Sequence, residues 1–468
     1  MQQSGRETWQ ASLRIGAAGW VACVMVACFG DPTQVQVRLD VTGELVAPAG
    51  RDADPVRQPI SVAGRFDFIE TRVDDSDEMA AIREYRAASA EIVVDGEPTI
   101  VALGDDARQI SVARLGTAAV PFLPRGFLTR EERDLLDIPC DPLLIDALRP
   151  PGVVAVGEAW DVSGDVAAGL LAVDTIEAGS LVAKIDSVSD CLAQVTFTGV
   201  IDGAVDGVPT HVVVDGRYAI EAAPDISSDA TSLRYRLDSR VAEITATLRE
   251  RRQASHVAPG FAVEARVGVT RSAAIGETPQ AGDQAAAPPR RRQATGRPDQ
   301  LWYRDPTGRF DLVHDARWRT VEQASGSVVM RLVDHGALVA QCSITALPRA
   351  AAADLPTIEQ VKRDISRALA GQFERFEDAT AGTRDDGVNV VRVVSAGTAG
   401  DLPFLWVHAV LADEAGRRAS VTWMLEASMA KRFGEADSDL LAGLRLASDG
   451  DSGAAAREAR LPRKTATP

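Results

Sequence analysis

The chain has few of the residues that most often bind metals or carry catalysis. Among 468 residues there are five cysteines and five histidines, with no CxxC pair and no HxH or HExxH spacing. Metal sites need several ligands that converge on one ion, and such spacings usually supply them. The Gly-x-Ser-x-Gly, Walker and Gly-x-Gly-x-x-Gly motifs are also missing. We therefore assign no catalytic, cofactor-binding or metal-binding residue. The histidines considered are His211, His256, His314, His335 and His408.

Lysine and asparagine are scarce as well, and the front part of the chain has too little positive charge for binding nucleic acid. Arginine outnumbers lysine 46 to 4, which we attribute to the codon bias of a GC-rich genome. Residues 31–271 hold 23 Arg+Lys against 40 Asp+Glu, a balance of −17, whereas residues 301–468 hold 21 against 23, a balance of −2. Since nucleic-acid affinity comes largely from lysine and arginine at phosphates, an acidic front region excludes that partner.

An apolar run at the N-terminus is too short to span a bilayer. It extends over 13 residues, Ile15 to Ala27, behind Arg6 and Arg14, whereas a spanning helix needs about 20. Its length is typical of the apolar region of a secretory signal, about 7–15 residues. We expect residues 1–27 to be a signal peptide and the protein to be exported.

The end of this run is similar to the lipobox of bacterial lipoproteins. Met25-Val26-Ala27 leads into Cys28, although leucine is the usual residue at the position of Met25. The resemblance implies lipidation of Cys28, a membrane anchor and a place in the cell envelope or periplasm. Cleavage elsewhere with soluble export, and an uncleaved or cytosolic chain, remain the alternatives.

Three cysteines follow the signal, and an oxidising compartment permits a bridge between two of them. Cys140 and Cys191 would close a loop of about 50 residues, worth about 4 kcal/mol in the chain-entropy model. The alternative is that Cys140, Cys191 and Cys342 are small buried apolar residues. Because three is an odd number, we favour the alternative.

Residues 31–271 predict a domain rich in antiparallel strands. Apolar residues alternate in segments such as Leu233–Leu237, in two strand-rich halves at 34–115 and 153–271. The pair Asp95-Gly96 predicts a turn between two strands of the first half. A helical insert at 129–149 separates the two halves, opens with a Thr129-x-x-Glu132 capping box and includes a second short helix predicted at Asp141–Leu148. We expect a pair of curved, half-barrel-like sheets joined by short helices. This architecture is similar to that of lipoprotein carriers of the LolA type, which implies an apolar ligand or a lipid inside.

Two segments are predicted to lack structure. Residues 272–300 are rich in proline, glycine, alanine and glutamine, and residues 448–468 form a polar tail. The first predicts a flexible linker, and its low-complexity part, Ala273 to Asp299, has 27 residues, which correspond to about 30 Å root-mean-square. We expect this linker to be the flexible connection between the front domain and the domain that follows it.

Residues 301–447 predict a second, α/β domain. Strands are indicated around Val328–Val333 and Leu338–Leu347, a helix from a Thr357 cap through Phe373, three further strands, and a closing helix from Glu435 to Leu446. This order is accompanied by Tyr303, Pro306, Gly308, Phe310, Trp318, the Pro356–Glu359 helix entry and Phe433. With these residues it resembles the PsbP/DcrB-like family. The resemblance implies an α/β sandwich with an antiparallel sheet and a role in binding or assembly.

Other chemistry-bearing residues have a structural interpretation. Trp160, Trp318, Trp406 and Trp423 lie among apolar neighbours, which favours core positions over a ligand cavity, and His408 alternates within an apolar strand. The acidic cluster Asp74–Glu78 lacks the spacing of a calcium loop, so we interpret it as a solvated loop.

The sequence as a whole predicts an α+β protein of the envelope without catalytic activity. The leading hypothesis is an exported lipoprotein that binds an apolar ligand or lipid. The first alternative is a protein–protein interaction or assembly module, and the second is a hydrolase with its site split between the domains. No residue pair supports the hydrolase.

Overall fold

In a computed structural model the chain forms two β-rich domains, a front domain and a back domain. Described residues are 28–29, 31–47, 56–74, 79–115, 118–205, 208–225, 233–237, 239–253, 260–274, 296–334, 337–350 and 356–447. The predicted signal peptide, most of the predicted linker and the predicted tail lie outside these ranges. Within them, no helix is both long and apolar enough to cross a membrane.

Long antiparallel strands make up most of the front domain. Thirteen of them form one sheet, whose central path runs β7-β6-β4-β3-β2-β16-β15-β12-β11-β10-β9, with β1 on β3 and β5 on β4, and β13-β14-β8 forms a small separate sheet. The strands are β1 (Cys28–Phe29), β2 (Thr33–Ala47), β3 (Val56–Asp74), β4 (Met79–Val94), β5 (Glu97–Ala102), β6 (Gln109–Leu115), β7 (Ala118–Phe122), β8 (Val154–Ala155), β9 (Ala159–Val162), β10 (Thr175–Ser189), β11 (Leu192–Val205), β12 (Val208–Glu221), β13 (Ala223–Pro224), β14 (Arg234–Arg236), β15 (Val241–Arg252) and β16 (Gly260–Ala273).

The sequence predicted that the two strand-rich halves form a pair of sheets, and this prediction is wrong. The first long strand, β2, pairs with the last, β16, from Thr33 opposite Ala273 to Val46 opposite Gly260. This pairing joins residues more than 200 positions apart and fuses the halves into one continuous sheet. Local alternation predicts the strands but carries no information on such a distant partner.

One face of this sheet is apolar and is covered by the helical insert. On β12 the inward residues Val212, Val214, Tyr218 and Ile220 alternate with exposed ones, as one-sided burial requires. Helix α1 (Arg130–Leu136) begins with the predicted capping box, and both of its hydrogen bonds are present. Helix α2 (Gly164–Leu171) follows the insert.

A second short helix in the insert was predicted at Asp141–Leu148 and is only partly formed. The helical part is one 3-10 turn at Ile145–Leu148. Asp141 uses its side chain to accept the Leu143 amide at 2.9 Å. Such side-chain bonds compete with regular helix, so the segment before Ile145 is a turn.

The back domain has a seven-stranded antiparallel sheet in the order β19-β20-β21-β25-β24-β23-β22, and a small sheet β17-β18-β26. Helix α3 packs on one face through Val361 and Ile365, against Val391 and Val393. Helices α4 and α5 cover the other face. The elements are β17 (Gln300–Arg304), β18 (Phe310–Asp315), β19 (Trp318–Ala324), β20 (Ser327–Asp334), β21 (Ala337–Leu347), α3 (Ile358–Leu369), β22 (Phe373–Thr383), β23 (Asn389–Ala399), β24 (Leu402–Ala412), β25 (Arg418–Glu426), α4 (Ala430–Phe433), α5 (Ala436–Gly443) and β26 (Leu444–Leu446).

Two predicted helices in the back domain end earlier than expected. Helix α3 stops at Leu369 because Ala370 has a φ of 45°, outside the helical region, and Phe373 begins the strand β22. The closing helix ends at Gly443, and Leu444–Leu446 form β26 against Phe310–Leu312. In both places, apolar residues whose spacing predicted a continued helix pair as strands instead.

Candidate functional site

The apolar face of the front sheet, where a ligand was expected, is packed with side chains of the protein itself. Leu135 and Leu136 from α1 and most apolar residues of 138–148 are buried in one core cluster with strand residues such as Phe68 and Phe197. The indole of Trp160 and the hydroxyl of Tyr218 both donate to the Leu148 carbonyl, each at 3.0 Å. The insert is therefore part of the core.

Buried ion pairs hold this insert on the sheet, in a network that we call the insert clamp. Its members are Glu70, Arg72, Arg83, Asp141, Asp146 and Arg271. The Arg83 guanidinium donates to Asp141 at 2.8 and 2.6 Å, and its Nε donates to Glu70 at 3.0 Å. It also lies 5.1 Å from the centre of the Phe68 ring. The paired charges of Arg83 thus connect β3 and β4 to the insert.

The other half of the insert clamp centres on Asp146. Its carboxylate accepts from Arg72 at 2.5 Å, from Arg271 at 2.8 Å and from the Val241 amide at 3.0 Å. Burial acts to raise the pKa of Asp146, but the two arginines outweigh it and lower that pKa below its usual value. Asp146 is therefore ionised at neutral pH and links the insert to β3, β15 and β16.

The insert clamp makes displacement of the insert unfavourable. Removing one partner of a buried ion pair typically costs about 3–5 kcal/mol, because a charge is left uncompensated. Opening the apolar face to a ligand would break several such pairs. It would also expose the leucines of the insert to water.

The back domain contacts the front domain directly, contrary to the freely tethered arrangement expected from the linker. The Trp302 amide donates to the Leu128 carbonyl at 2.8 Å, and Leu301, 1% exposed, belongs to the front-domain core cluster. A Cβ on Gly296 would lie 1.5 Å from the Leu123 carbonyl oxygen, so this approach requires glycine. Strand β16 continues to Ala273 and β17 begins at Gln300. Both ends of the predicted 272–300 linker are thus ordered.

A groove of about 530 Å³ lies where the two domains meet, and we call it the junction groove. Ion pairs stand at its rim: Arg297 with Asp299 at 2.6 Å and Arg317 with Asp315 at 3.0 Å. Clefts at domain junctions are common ligand and partner sites. Its lining contains no serine, threonine or cysteine and consists of Phe127, Arg297, Asp299, Gln300, Val313, His314, Asp315, Arg317, Trp318, Ala436, Asp439, Leu440, Ala442 and Gly443.

The histidine of the junction groove is held neutral. His314 is 3% exposed, and burial lowers its pKa to about 4. Its Nδ1 lies 2.9 Å from the Asp315 carbonyl, while its Nε2 is buried without a hydrogen-bond partner. The imidazole is therefore a neutral, buried part of the groove lining at neutral pH.

The cysteines singled out from the sequence are placed apart. Cys28 pairs with Asp74 in the β1–β3 ladder. Cys140 is buried and free, whereas Cys191 is exposed and free, so the bridge considered between them is not formed. Burial raises the pKa of the Cys140 thiol to about 12, which fits the alternative interpretation of Cys140 as a small core residue. Cys191 does not fit that interpretation.

The other residues singled out from the sequence lie in the core, on the surface or outside the described residues. Trp160, Trp318, Trp406 and Trp423 are buried, which confirms the prediction of core tryptophans. His408 lies 3.2 Å from the Thr422 hydroxyl, and His211 is an exposed partner of Asp202 at 2.7 Å. His256, His335 and residues 75–78 of the acidic cluster lie outside the described residues. Across the ranges that the structure describes, no group of His, Cys, Asp and Glu is placed to hold a metal ion.

The insert clamp and the junction groove were both missed by the sequence analysis. A signal for the clamp exists, because Glu70 and Arg83 occupy core-facing positions on strands where apolar residues are expected. A charge at such a position indicates a buried partner, although not which one. The groove has no local signal, since segments far apart in sequence line it.

Comparisons with known proteins give distant structural likeness only. No family model matches the chain, and neither does any curated protein. The solution structure of cyanobacterial PsbP (CyanoP) from Synechocystis sp. PCC 6803 matches 37% of this chain and 98% of its own, with 15% identity and a TM-score of 0.25. A lipovitellin structure, described by its lipid–protein interactions, matches 53% of this chain and 26% of its own, with 7% identity and a TM-score of 0.28. A PsbP structure is thus a partial neighbour, and the chain is dominated by antiparallel sheet.

Proposed function

We propose that this protein is a non-enzymatic module of a bacterial cell envelope that binds partner proteins through its surface. The observation that carries the proposal is the packed apolar face of the front sheet. A carrier of lipid needs interior space, and here the insert occupies that space and is held by the insert clamp. What the front domain offers to a partner is its surface.

The junction groove is the surface that we assign to this binding. It combines apolar residues of both domains, Phe127 and Trp318, with arginines and carboxylates such as Arg297, Asp299 and Arg317. Protein interfaces typically use an apolar centre with a polar rim. We further propose that the back domain is PsbP/DcrB-like, a family of binding and assembly modules. Its motif residues include Gly308, which has a φ of 66° in the turn before Phe310.

The location proposed for this activity is the membrane surface on the exported side. Lipidation of Cys28 is inferred from the lipobox-like sequence, and β1 starts at that same residue. Acyl chains on Cys28 would therefore hold the front sheet next to the bilayer without a spacer. Several acyl chains add about 0.8 kcal/mol per buried CH₂ and give a firm anchor.

Native mass spectrometry and crosslinking of protein from its own envelope test the proposal. We expect one stoichiometric protein partner and no lipid other than acyl groups on Cys28. The double variant Arg297→Glu, Arg317→Glu should lose the partner crosslink, because it reverses two charges at the junction groove. The matched double variant Arg249→Glu, Arg266→Glu, at two exposed arginines of the front sheet, should keep it.

A lipid retained in the front domain would instead support the carrier hypothesis and contradict the proposal. Labelling with a radioactive fatty acid tests the anchor separately. A Cys28→Ser variant that labels as well as the unchanged chain would exclude lipidation at that residue.

A further inference from the structure

Four arginines of this acidic protein converge at one end of the back domain. Arg309, Arg349, Arg417 and Arg418 make up half of the eight residues that line a concavity of about 70 Å³, and none of the eight is acidic. The whole chain has a net charge of −17. Convergence of positive charge is therefore a local property of this place, which we call the arginine cup.

Four separate segments build the arginine cup, so it depends on the tertiary fold. Thr307 to Arg309 belong to the turn before β18, Leu347 and Arg349 to the end of β21 and the residues after it, Arg417 and Arg418 to the turn into β25, and Ala447 follows β26. The Ala350 amide donates to the Gly416 carbonyl at 3.0 Å, and the Ala447 amide to the Arg309 carbonyl at 3.0 Å. These backbone bonds hold the segments together.

A buried carboxylate fixes the turn that carries Arg309. Asp305, 1% exposed, accepts the amides of Arg309 at 3.0 Å and Gly326 at 2.9 Å, together with the Thr307 hydroxyl. Because these donors face it from its own turn and from the β19–β20 connection, the position of the Arg309 backbone is set before any ligand arrives.

The guanidinium groups are oriented mainly by carbonyl oxygens. Arg418 donates to the Pro348 carbonyl from Nε at 3.0 Å and from Nη2 at 2.8 Å, and Arg309 donates to the Leu347 carbonyl. Carbonyl groups orient a guanidinium but carry no net charge. Arg417 pairs with Asp413 through its Nε, and its amide donates to the same carboxylate at 2.9 Å. The positive charges of Arg309 and Arg418 thus remain available to an anion.

We infer that the arginine cup is a binding site for a phosphate group. Arginine presents several N–H donors in a planar fork that matches phosphate oxygens, often in a bidentate arrangement. The concavity is small, about 70 Å³, so it suits a small oxyanion rather than a large ligand. The ligand is inorganic phosphate or the phosphate of a lipid headgroup. This site is separate from the junction groove, and its occupation does not depend on the function proposed there.

Titration of the full chain separates the two sources of phosphate. The chain carries Cys28→Ser, so that no acyl group holds it to a membrane. One arm measures binding of inorganic phosphate by calorimetry at low salt, and the other measures co-sedimentation with phosphatidylglycerol vesicles and with phosphatidylcholine vesicles. Saturable binding in the first arm identifies free phosphate, and selective binding to phosphatidylglycerol identifies a headgroup.

Variants assign the binding to the arginine cup. Arg309→Gln with Arg418→Gln should weaken it at least tenfold, and Arg349→Gln, at an exposed position of the rim, should weaken it as well. Arg367→Gln, an 80% exposed side chain on α3, should leave the affinity within twofold. Absence of saturable binding in both arms, or equal affinity in cup and control variants, would overturn the inference.

Discussion

Charged and titratable side chains lie in places where the strand pattern leaves room only for apolar residues. Arg83 is completely buried, and its charge is balanced by Glu70 and Asp141 within hydrogen-bond distance. His314 is buried too, but burial outweighs the opposing effect of Asp315 on its pKa, and the imidazole stays neutral at pH 7. At this scale the sequence predicted the core tryptophans well, because indole rings nearly always seek burial. It did not predict the ion pairs, because the partners come from distant segments.

Acid should destabilise the protein through His314. Its folded-state pKa of about 4 lies below the value of about 6.5 in an unfolded chain. The unfolded chain therefore takes up more protons as the pH falls. Stability from this group is complete above about pH 6.5 and decreases towards pH 4, by about 3 kcal/mol in total.

Urea unfolding between pH 7 and pH 4 measures this effect. His314→Gln should show a shallower loss of the free energy of unfolding than the unchanged chain. His211→Gln, which alters an exposed histidine, should keep the original slope. Equal slopes for all three proteins would contradict a neutral, buried His314.

Helix starts were predicted accurately and hairpin turns only in part, and the difference lies in their sequence signals. The capping boxes at Thr129 and Thr357 are both formed, since the interacting residues are three positions apart. The turn Asp95–Gly96 between β4 and β5 was predicted from its Asp-Gly pair and has φ values of 50° and 83°. In the β10–β11 hairpin, Asp190 and Cys191 also have positive φ values, 50° and 60°. This turn contains no glycine from which it could be predicted.

Cys191→Gly should therefore stabilise the front domain. A two-residue hairpin loop with positive φ at both positions is typical of a type I′ turn, which favours glycine at the second position. A non-glycine residue in this region is strained by about 1 kcal/mol. We expect a gain of about 0.5–1 kcal/mol in the free energy of unfolding, measured in urea. Cys191→Ala removes the thiol but keeps the strain, so it should give no gain, and a similar gain in both variants would argue against the turn strain.

The arrangement of the whole molecule was the least predictable from sequence. The pairing of β2 with β16 and the docking of β17 on the insert join segments that no local pattern relates. The linker composition suggested independent domains, but Leu301 lies in the core of the front domain. The composition of the linker describes the segment between the two domains, and it carries no information on the domain surfaces that contact each other.

Docking should couple the two domains in stability. Leu301→Ala removes a buried side chain and should cost about 2–4 kcal/mol. Hydrogen exchange followed by mass spectrometry should then show faster exchange in the insert, at residues 129–149 of the other domain. Leu338→Ala, at a 43% exposed leucine of β21, should leave exchange in the insert unchanged. Unchanged exchange in the Leu301→Ala protein would show that the domains do not support one another.

The pairing of the first and last long strands has a mechanical consequence. Thr33 and Ala273 are opposite each other, and the Ala274 amide donates to the Pro32 carbonyl at 3.3 Å. The chain therefore enters and leaves the front sheet at one end. A force between Cys28 and the back domain would open the β2–β16 ladder one hydrogen bond at a time, which is the least resistant direction. Before that ladder is loaded, the force must break the contacts of Trp302 and Leu301 with the front domain. These contacts would therefore protect the β2–β16 ladder from small forces.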